Sequence, residues 1–342
     1  MIAHSSDPAM TKTVDTTPRL EVAQACELLR ERFAVEGELT PLPSERDQNF
    51  RVETRSGAHF VLKIAKADEE RSVLELQNAM IAHLRRDLPE VDLPMIALAV
   101  DGAGISEARA GKRRYWVRLF SWVDGVPLAR AAPHSAHLLT TLGHLLGRID
   151  RSLQSFSHPA IHRSLHWDLK HADQAFGYAD LLPPEQRSLI AEHVRCWRRI
   201  PWAELRDGPI HGDANDYNVL VRDGEVVTLL DFGDAVQSAL VCDLAIALAY
   251  AMLDKADPLA AACTVAAAFH QVLPLTAVEA DMLFPLLAAR LSMSVCLAAK
   301  NARDKGGDEY QQVSAAPASR LLAQLAELPA DRGRAILEEA CA

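Results

Sequence analysis

The chain is poor in the features that mark disulfide, zinc and membrane proteins. Its six cysteines (Cys26, Cys196, Cys242, Cys263, Cys296, Cys341) are scattered and form no C-x-x-C. They read as buried thiols of a reducing, cytoplasmic protein, which excludes a disulfide framework or a zinc ribbon. The thirteen histidines lack metal-ligand spacing; His134 with His137, or His162 with His166, could share a helix face but fit surface or capping roles better. Basic residues are also short: 36 Lys and Arg stand against 46 Asp and Glu, for a net charge of −10, and no basic stripe occurs. A nucleic-acid partner is disfavoured, and a cationic ligand suits the balance. The longest apolar run, Leu244 to Leu253, is ten residues and ends at Asp254. That is too short to span a bilayer, so no membrane partner is expected. Residues 1–18 lack the apolar centre of a signal peptide and read as a disordered leader. There is no internal repeat and no low-complexity tract. What is present is 342 residues, 49% apolar, enough for two lobes, expected at 19–120 and 121–342.

The most informative stretch runs from His211 to Asp234. Two β-branched apolar runs flank Asp223-Gly224. Asp-Gly between such runs is a strong hairpin signal, because both turn positions need φ > 0. Folding the chain there brings Asn218 and Asp231 to one end, with Asp213 on the loop entering the first strand. Two carboxylates and an amide so gathered suit phosphoryl transfer. Asp213 would take the proton of an attacking hydroxyl as catalytic base, and Asn218 and Asp231 would hold Mg²⁺ on the nucleotide phosphates. The bland alternative is a hairpin with an acidic residue at each end. The spacing H-G-D-x4-N followed by D-F-G matches the kinase catalytic and metal-binding loops and favours the first reading.

The N-terminal part reads as a helix from Leu20 to Phe33, then a strand, turn and strand from Glu38 to Phe60. The loop 43–50 carries Ser44, Asn49 and Phe50 and contains no glycine. If it covers nucleotide phosphates, it must do so with side chains and the amides around Ser44 to Asn49, with the Phe50 ring packed towards the nucleotide; an ordinary polar hairpin loop is the alternative. Lys63 lies inside the apolar strand His59–Ile64, where a lysine is costly to bury unless paired. Val61-Leu62-Lys63-Ile64 is similar to the kinase V-A-I-K, whose lysine holds the α- and β-phosphates. A solvent-facing lysine is the alternative. The helix Asp68–Asp87 has a buried stripe of Val73, Leu76, Met80 and Leu84 and offers Glu75 as the lysine's partner, with Glu69 and Glu70 as alternatives near its start. Leu93–Val100 and Lys112–Val123 read as two further strands.

From Ser135 the pattern is helical, with Leu138, Leu142, Leu145, Leu146, Ile149 and Leu153 on one stripe. Trp167 and Asp168 could face a substrate or be a buried tryptophan beside a capping aspartate. Pro184–Ile200, Pro258–Leu273, Val278–Ala302 and Ser314–Leu328 read as helices, as does the apolar run after Asp243. Asp243 either serves its own helix dipole or reaches back to support the catalytic loop that begins at His211. Arg290, alone on an apolar helix, reads as an ion-pair partner, with a substrate carboxylate as the sharper alternative. The connection between Asp234 and Asp243 is too short for the activation segment of a protein kinase, and no A-P-E follows. A small-molecule acceptor is therefore expected. Asp216 and Asp234 exceed the needs of base and metal. They would attract a substrate ammonium, or else they only fix the two loops.

Segments between Leu39 and Tyr310 resemble the aminoglycoside phosphotransferase-like small-molecule kinases, closest to the hydroxylysine kinase branch. E-R-D-Q-N-F at 45–50, V-L-K-I at 61–64, L-E-L-Q-N at 74–78, H-G-D-A-N-D-Y-N-V-L-V at 211–221 and L-D-F-G-D at 230–234 carry the likeness. The resemblance implies an α+β, protein-kinase-like bilobal fold with a small β-rich N-terminal nucleotide-binding lobe and a larger, mainly helical C-terminal catalytic lobe. It implies nucleotide in the cleft, Asp213 as base, Asn218 and Asp231 on Mg²⁺, and Lys63 with Glu75 on the phosphates. ATP and GTP both occur as donors in such kinases. The acceptor implied is an amino alcohol or hydroxy amino acid, first of all 5-hydroxylysine. An aminoglycoside, a choline-like compound or homoserine is the alternative, and a non-catalytic nucleotide-binding module is a further one. Some members are fused to class III aminotransferase domains; this chain is expected to stand alone. Gly212 replaces the arginine of protein kinases, which fits an enzyme without activation-loop control.

Overall fold

A computed structural model describes residues 17–44, 46–110, 113–305, 309–328 and 330–342. The leader expected at 1–18 therefore lies outside the described residues except for Thr17 and Pro18, as does Glu45. The chain divides into two compact units, 1–70 with 96–121 and 71–95 with 122–342.

The first unit is an antiparallel sheet with one helix. Helix α1 (Val22–Phe33) precedes β1 (Gly37–Leu42), β2 (Gln48–Thr54) and β3 (His59–Ile64); β4 (Ile96–Ala97), β5 (Ser106–Ala110) and β6 (Arg113–Ser121) complete the sheet. The strand order is β1-β2-β3-β6-β4, with β5 also paired to β6. Side chains alternate between faces along a strand. Phe50, Leu62 and Leu119 sit in register across β2, β3 and β6 and are buried with Leu28 and Leu29 of α1. One residue along, Asn49, Lys63 and Arg118 stand in register on the other face. β5 went unread in the sequence, and the strand expected at 93–100 shrinks to two residues.

The second unit begins with α2 (Arg71–Asp87), not with residue 121. Its stripe of Val73, Leu76, Met80 and Leu84 is buried, and it packs on α3 (Ala136–Leu153) and on the short turns Pro159–Ile161 and Phe232–Asp234. Tertiary packing thus places with the second unit a helix that chain order assigned to the first. The strands are β7 (Val126–Pro127), β8 (Asp207–Ile210), β9 (Val219–Arg222), β10 (Glu225–Leu229) and β11 (Val236–Ala239). The helices after α3 are α4 (Asp173–Phe176), α5 (Pro184–Trp197), α6 (Val241–Ala251), α7 (Pro258–Val272), α8 (Ala277–Lys305), α9 (Glu309–Ala326) and α10 (Ala330–Ala340), the last unforeseen.

Local chemistry explains several boundaries. The Ser135 side chain accepts from Leu138 N and starts α3. Asp257 caps α7, with Pro258 in its first turn. Thr276 and Glu279 form a reciprocal capping box at α8, and Glu279 also binds Arg206 at 2.6 Å. All eleven residues of α6 are buried, which accounts for its apolar sequence. Among the described residues one helix, α8, is long and apolar enough by composition to cross a membrane, and 72% of its most apolar 18-residue stretch is buried inside the protein.

Candidate active site

Three pairings assemble the site. Asp223 (φ 55°) and Gly224 (φ 80°) make the two-residue turn of the β9–β10 hairpin. Leu230 N then donates to Asn218 O at 2.8 Å, which sets Asp231 beside Asn218. β8 pairs antiparallel with β11, so His211 and Gly212 leave β8 next to Asp234. β7 pairs with β9 and lays residues 128–134 against the catalytic loop, where Ala129 N donates to Asp216 O at 2.9 Å. Gly212 has φ +80°, and a Cβ there would overlap the Asp234 carbonyl oxygen. The glycine that departs from protein kinases is thus required by local geometry.

Asp213 is bonded on both carboxylate oxygens. Its Oδ1 accepts from Arg290 Nη2 at 2.7 Å, and its Oδ2 accepts from Asn215 Nδ2 at 2.8 Å and Asn218 Nδ2 at 2.9 Å. Burial pushes its carboxyl above the usual range, and Asp234 adds to the rise; the Arg290 charge and the Asn215 bond oppose it. The Asp213 side chain keeps 21% exposure, so one face is open to a reactant. Arg290 is 2% exposed, donates to Trp167 O at 3.2 Å, and lies 4.6 Å from the Trp167 ring and 5.6 Å from the Tyr250 ring. The ion-pair reading of Arg290 is the one the structure has, and the partner is Asp213.

The loop itself is held by buried acid groups. Asp243, fully buried, accepts from His211 N and Gly212 N, both at 2.8 Å. It reaches back rather than serving its own helix alone. His211 accepts from Asp213 N through Nδ1, at 3.2 Å, so Nε2 carries the proton and donates to Leu230 O at 3.0 Å. Behind Asp243 lies Asp150 of α3, also fully buried. Neither Asp150 oxygen receives a hydrogen bond, so as an anion it would be stranded. Burial and the Asp243 charge push its carboxyl well above the usual value of 3.8, and the retained proton is donated to Asp243. Asn215 Oδ1 closes the turn by accepting from Tyr217 N and Asn218 N.

The second loop is built differently. Asp231 is exposed, sits at φ 59°, and accepts from Gly233 N at 3.1 Å. Arg163 secures the main chain beyond it, donating to Gly233 O at 2.6 Å and Ala235 O at 2.9 Å. Both Asn218 amide hydrogens go to Asp213, to its main-chain oxygen and to Oδ2. Among the described residues no three His, Cys, Asp or Glu side chains converge as a self-sufficient metal cage.

The other expected site residues divide. Asn49 and Lys63 share a face of the first unit, as a phosphate-binding pair would, and Ser44 lies on the half-buried loop before them. Phe50 does not: its ring is 1% exposed in the sheet core, because the strand alternation that turns Asn49 and Lys63 one way turns Phe50 the other. Glu75 is half-exposed and bonds Arg71 at 2.8 Å, one helical turn earlier. Asp168 is 6% exposed and spent on Lys170 N and the Ser238 hydroxyl, so the capping reading replaces the substrate one. Trp167 is half-buried against Arg290. Asp234 is 6% exposed. Asp216 lines a cavity of about 380 Å³, and its carboxyl is raised to about 6, mainly by burial. Sequence reasoning missed Asp150, Arg163 and Asn215. Asp150 had a signal, an acid beside the apolar stripe of α3; Arg163 had none.

A model of the phosphotransferase enzyme family matches residues 38–278. The chain belongs to that family. It is similar to the hydroxylysine kinase of Mus musculus, at 29% identity over 98% of this chain and 96% of that one. Among solved structures it is similar in fold to a microcompartment-associated aminopropanol kinase, with TM-score 0.72 and 19% identity, covering 90% of this chain and 98% of the other. An amicoumacin kinase in complex with AMP-PNP, Ca²⁺ and Ami aligns with TM-score 0.68 and 16% identity, covering 94% of each chain. The fold class is the α+β, protein-kinase-like one, and the chain is a kinase of this family.

Proposed function

We propose that the chain transfers the γ-phosphate of ATP or GTP, with Mg²⁺, to the hydroxyl of an amino alcohol or hydroxy amino acid, 5-hydroxylysine first among them. The carrying observation is Asp213, anchored on both oxygens yet partly open, beside Asn218 and Asp231. In this reading an Asp213 oxygen takes the acceptor's hydroxyl proton as the acceptor's hydroxyl oxygen bonds to the γ-phosphorus and the nucleoside diphosphate leaves. Asn218 and Asp231 would hold the Mg²⁺, which neutralises charge on the transferred phosphoryl group. Lys63 and Asn49 would bind the nucleotide phosphates, while Glu75 is bonded to Arg71. Arg290 opposes the effect of burial on Asp213 and so favours its proton-accepting anion. The name of the mouse relative supports hydroxylysine; the aminopropanol kinase supports a smaller amino alcohol as the second reading. Six unpaired thiols support a cytoplasmic setting.

A coupled kinase assay over hydroxylysine, aminopropanol, choline, homoserine and an aminoglycoside, each with ATP and with GTP, tests this. Turnover of hydroxylysine, lowered about 10²- to 10⁴-fold in Asp213→Asn with nucleotide affinity kept within a few-fold, is the expected result. No turnover of any amine alcohol, with nucleotide still bound, would favour a binding module instead.

A further inference from the structure

The cavity of about 380 Å³ beside the catalytic loop is lined by charges of both signs. Its size suits a small metabolite. On the loop side is Asp216, three residues after Asp213, with an Oδ1 that is buried and receives no hydrogen bond. Opposite in charge is Lys255, which follows α6. The Lys255 ammonium is half-buried, donates to Leu253 O at 3.1 Å, and makes no direct ion pair with Asp216, although the two attract each other across the cavity. Asp254 also lines the space, but its carboxylate is bonded to Arg320 at 2.8 Å. His134 donates to Leu128 O through Nε2, which leaves its buried Nδ1 as an unbonded acceptor. Tyr217 and Tyr250 supply aromatic walls, and Tyr250 is within electrostatic reach of Asp213.

A buried acceptor without a donor and a half-buried ammonium with hydrogens to spare are both costly in an empty protein. One ligand that carries an ammonium and a carboxylate answers both. We propose that this cavity is a two-charge acceptor site, in which Asp216 takes the ammonium next to the reacting hydroxyl and Lys255 takes an α-carboxylate. The inference rests on the kinase reading above and narrows it: Lys255 selects hydroxy amino acids over amino alcohols without a carboxylate. It also works against polycationic acceptors such as aminoglycosides, because a fixed cation in the pocket repels them.

The decisive measurement is a specificity ratio. The kcat/KM for 5-hydroxylysine is divided by that for 1,5-diaminopentan-2-ol, the same molecule without its carboxylate, in the full chain and in Lys255→Met. Loss of one charge-assisted contact should collapse the ratio about 10- to 100-fold, chiefly through KM for hydroxylysine. Lys255→Arg should restore part of it, and the thermal midpoint should hardly move, since methionine keeps the apolar stem of Lys255. An unchanged ratio with both compounds turned over would overturn the Lys255 assignment and leave the kinase reading standing. Wild-type protein that phosphorylates neither compound would overturn the proposal, while turnover of another amine alcohol such as aminopropanol would leave the kinase reading standing. A fall in the ratio that Lys255→Arg does not relieve, with a lowered midpoint, would mark Lys255 as structural and also overturn the proposal.

Discussion

The two loops at the end of the β9–β10 hairpin are held in opposite ways. The loop His211–Asn218 is fixed by ionised or proton-sharing side chains buried in helices: Asp243 on its amides, Asp150 behind Asp243, and Arg290 on Asp213. The loop Asp231–Asp234 is fixed through main-chain carbonyls by the half-buried Arg163, and its acid is exposed. A group that takes a proton gains from a fixed position and a controlled charge. In the proposed reading Asp231 meets an incoming metal and must stay open to it. Burying charge is expensive, so it is concentrated where position matters more than access.

The widest breach of this contrast is Arg290→Met. It strands the Asp213 carboxylate in a largely buried site, and breaking such a pair costs about 3–5 kcal/mol. Chemical denaturation should show a loss towards the lower end, because Asn215 and Asn218 still bond Asp213. Activity should fall more than stability explains. A stability loss below about 1 kcal/mol would mean the pair holds nothing together.

A smaller effect is expected from Arg163→Met. Two carbonyls lose their donors, at about 1–3 kcal/mol in total once water replaces some bonds. The loss should appear as faster amide exchange at Gly233 to Val236 with the His211 loop unchanged. Equal loosening of both loops would erase the distinction between them.

The finest test is Asp150→Asn. The folded protein binds the Asp150 proton more tightly than the unfolded chain does, so this group's contribution is complete below about 3.8 and is lost as pH rises towards the folded value. Asparagine has no proton to lose and can still donate to Asp243. As pH rises above about 3.8, the thermal midpoint of the variant should therefore gain on wild type. Parallel midpoints across that range would show that Asp150 carries no proton to lose.

The catalytic hairpin was legible because its chemistry is local. Asp-Gly requires one turn, the turn requires one pairing, and the pairing brings Asn218 next to Asp231 within a few residues of chain. The buried stripes of α2 and α3 were legible for the same reason, since helical periodicity is a local property. Phe50 and Asp168 were misplaced because each depended on a neighbour set by register or by a distant strand: Leu62 for one, Ser238 for the other. Helix α2 was assigned to the wrong unit because chain order says nothing about which surface an apolar stripe covers.

The sequence alone determined which groups can do chemistry here and the turn that gathers Asp213, Asn218 and Asp231, because those relations lie within a short stretch of backbone. Only the tertiary structure decided that Asp243, Asp150 and Arg290 converge behind that stretch, and that Lys255 faces the same cavity as Asp216. Those side chains come from helices far apart in the chain. Their meeting is set by how apolar helix faces bury one another, and burial depends on shape and packing that no spacing of residue types encodes.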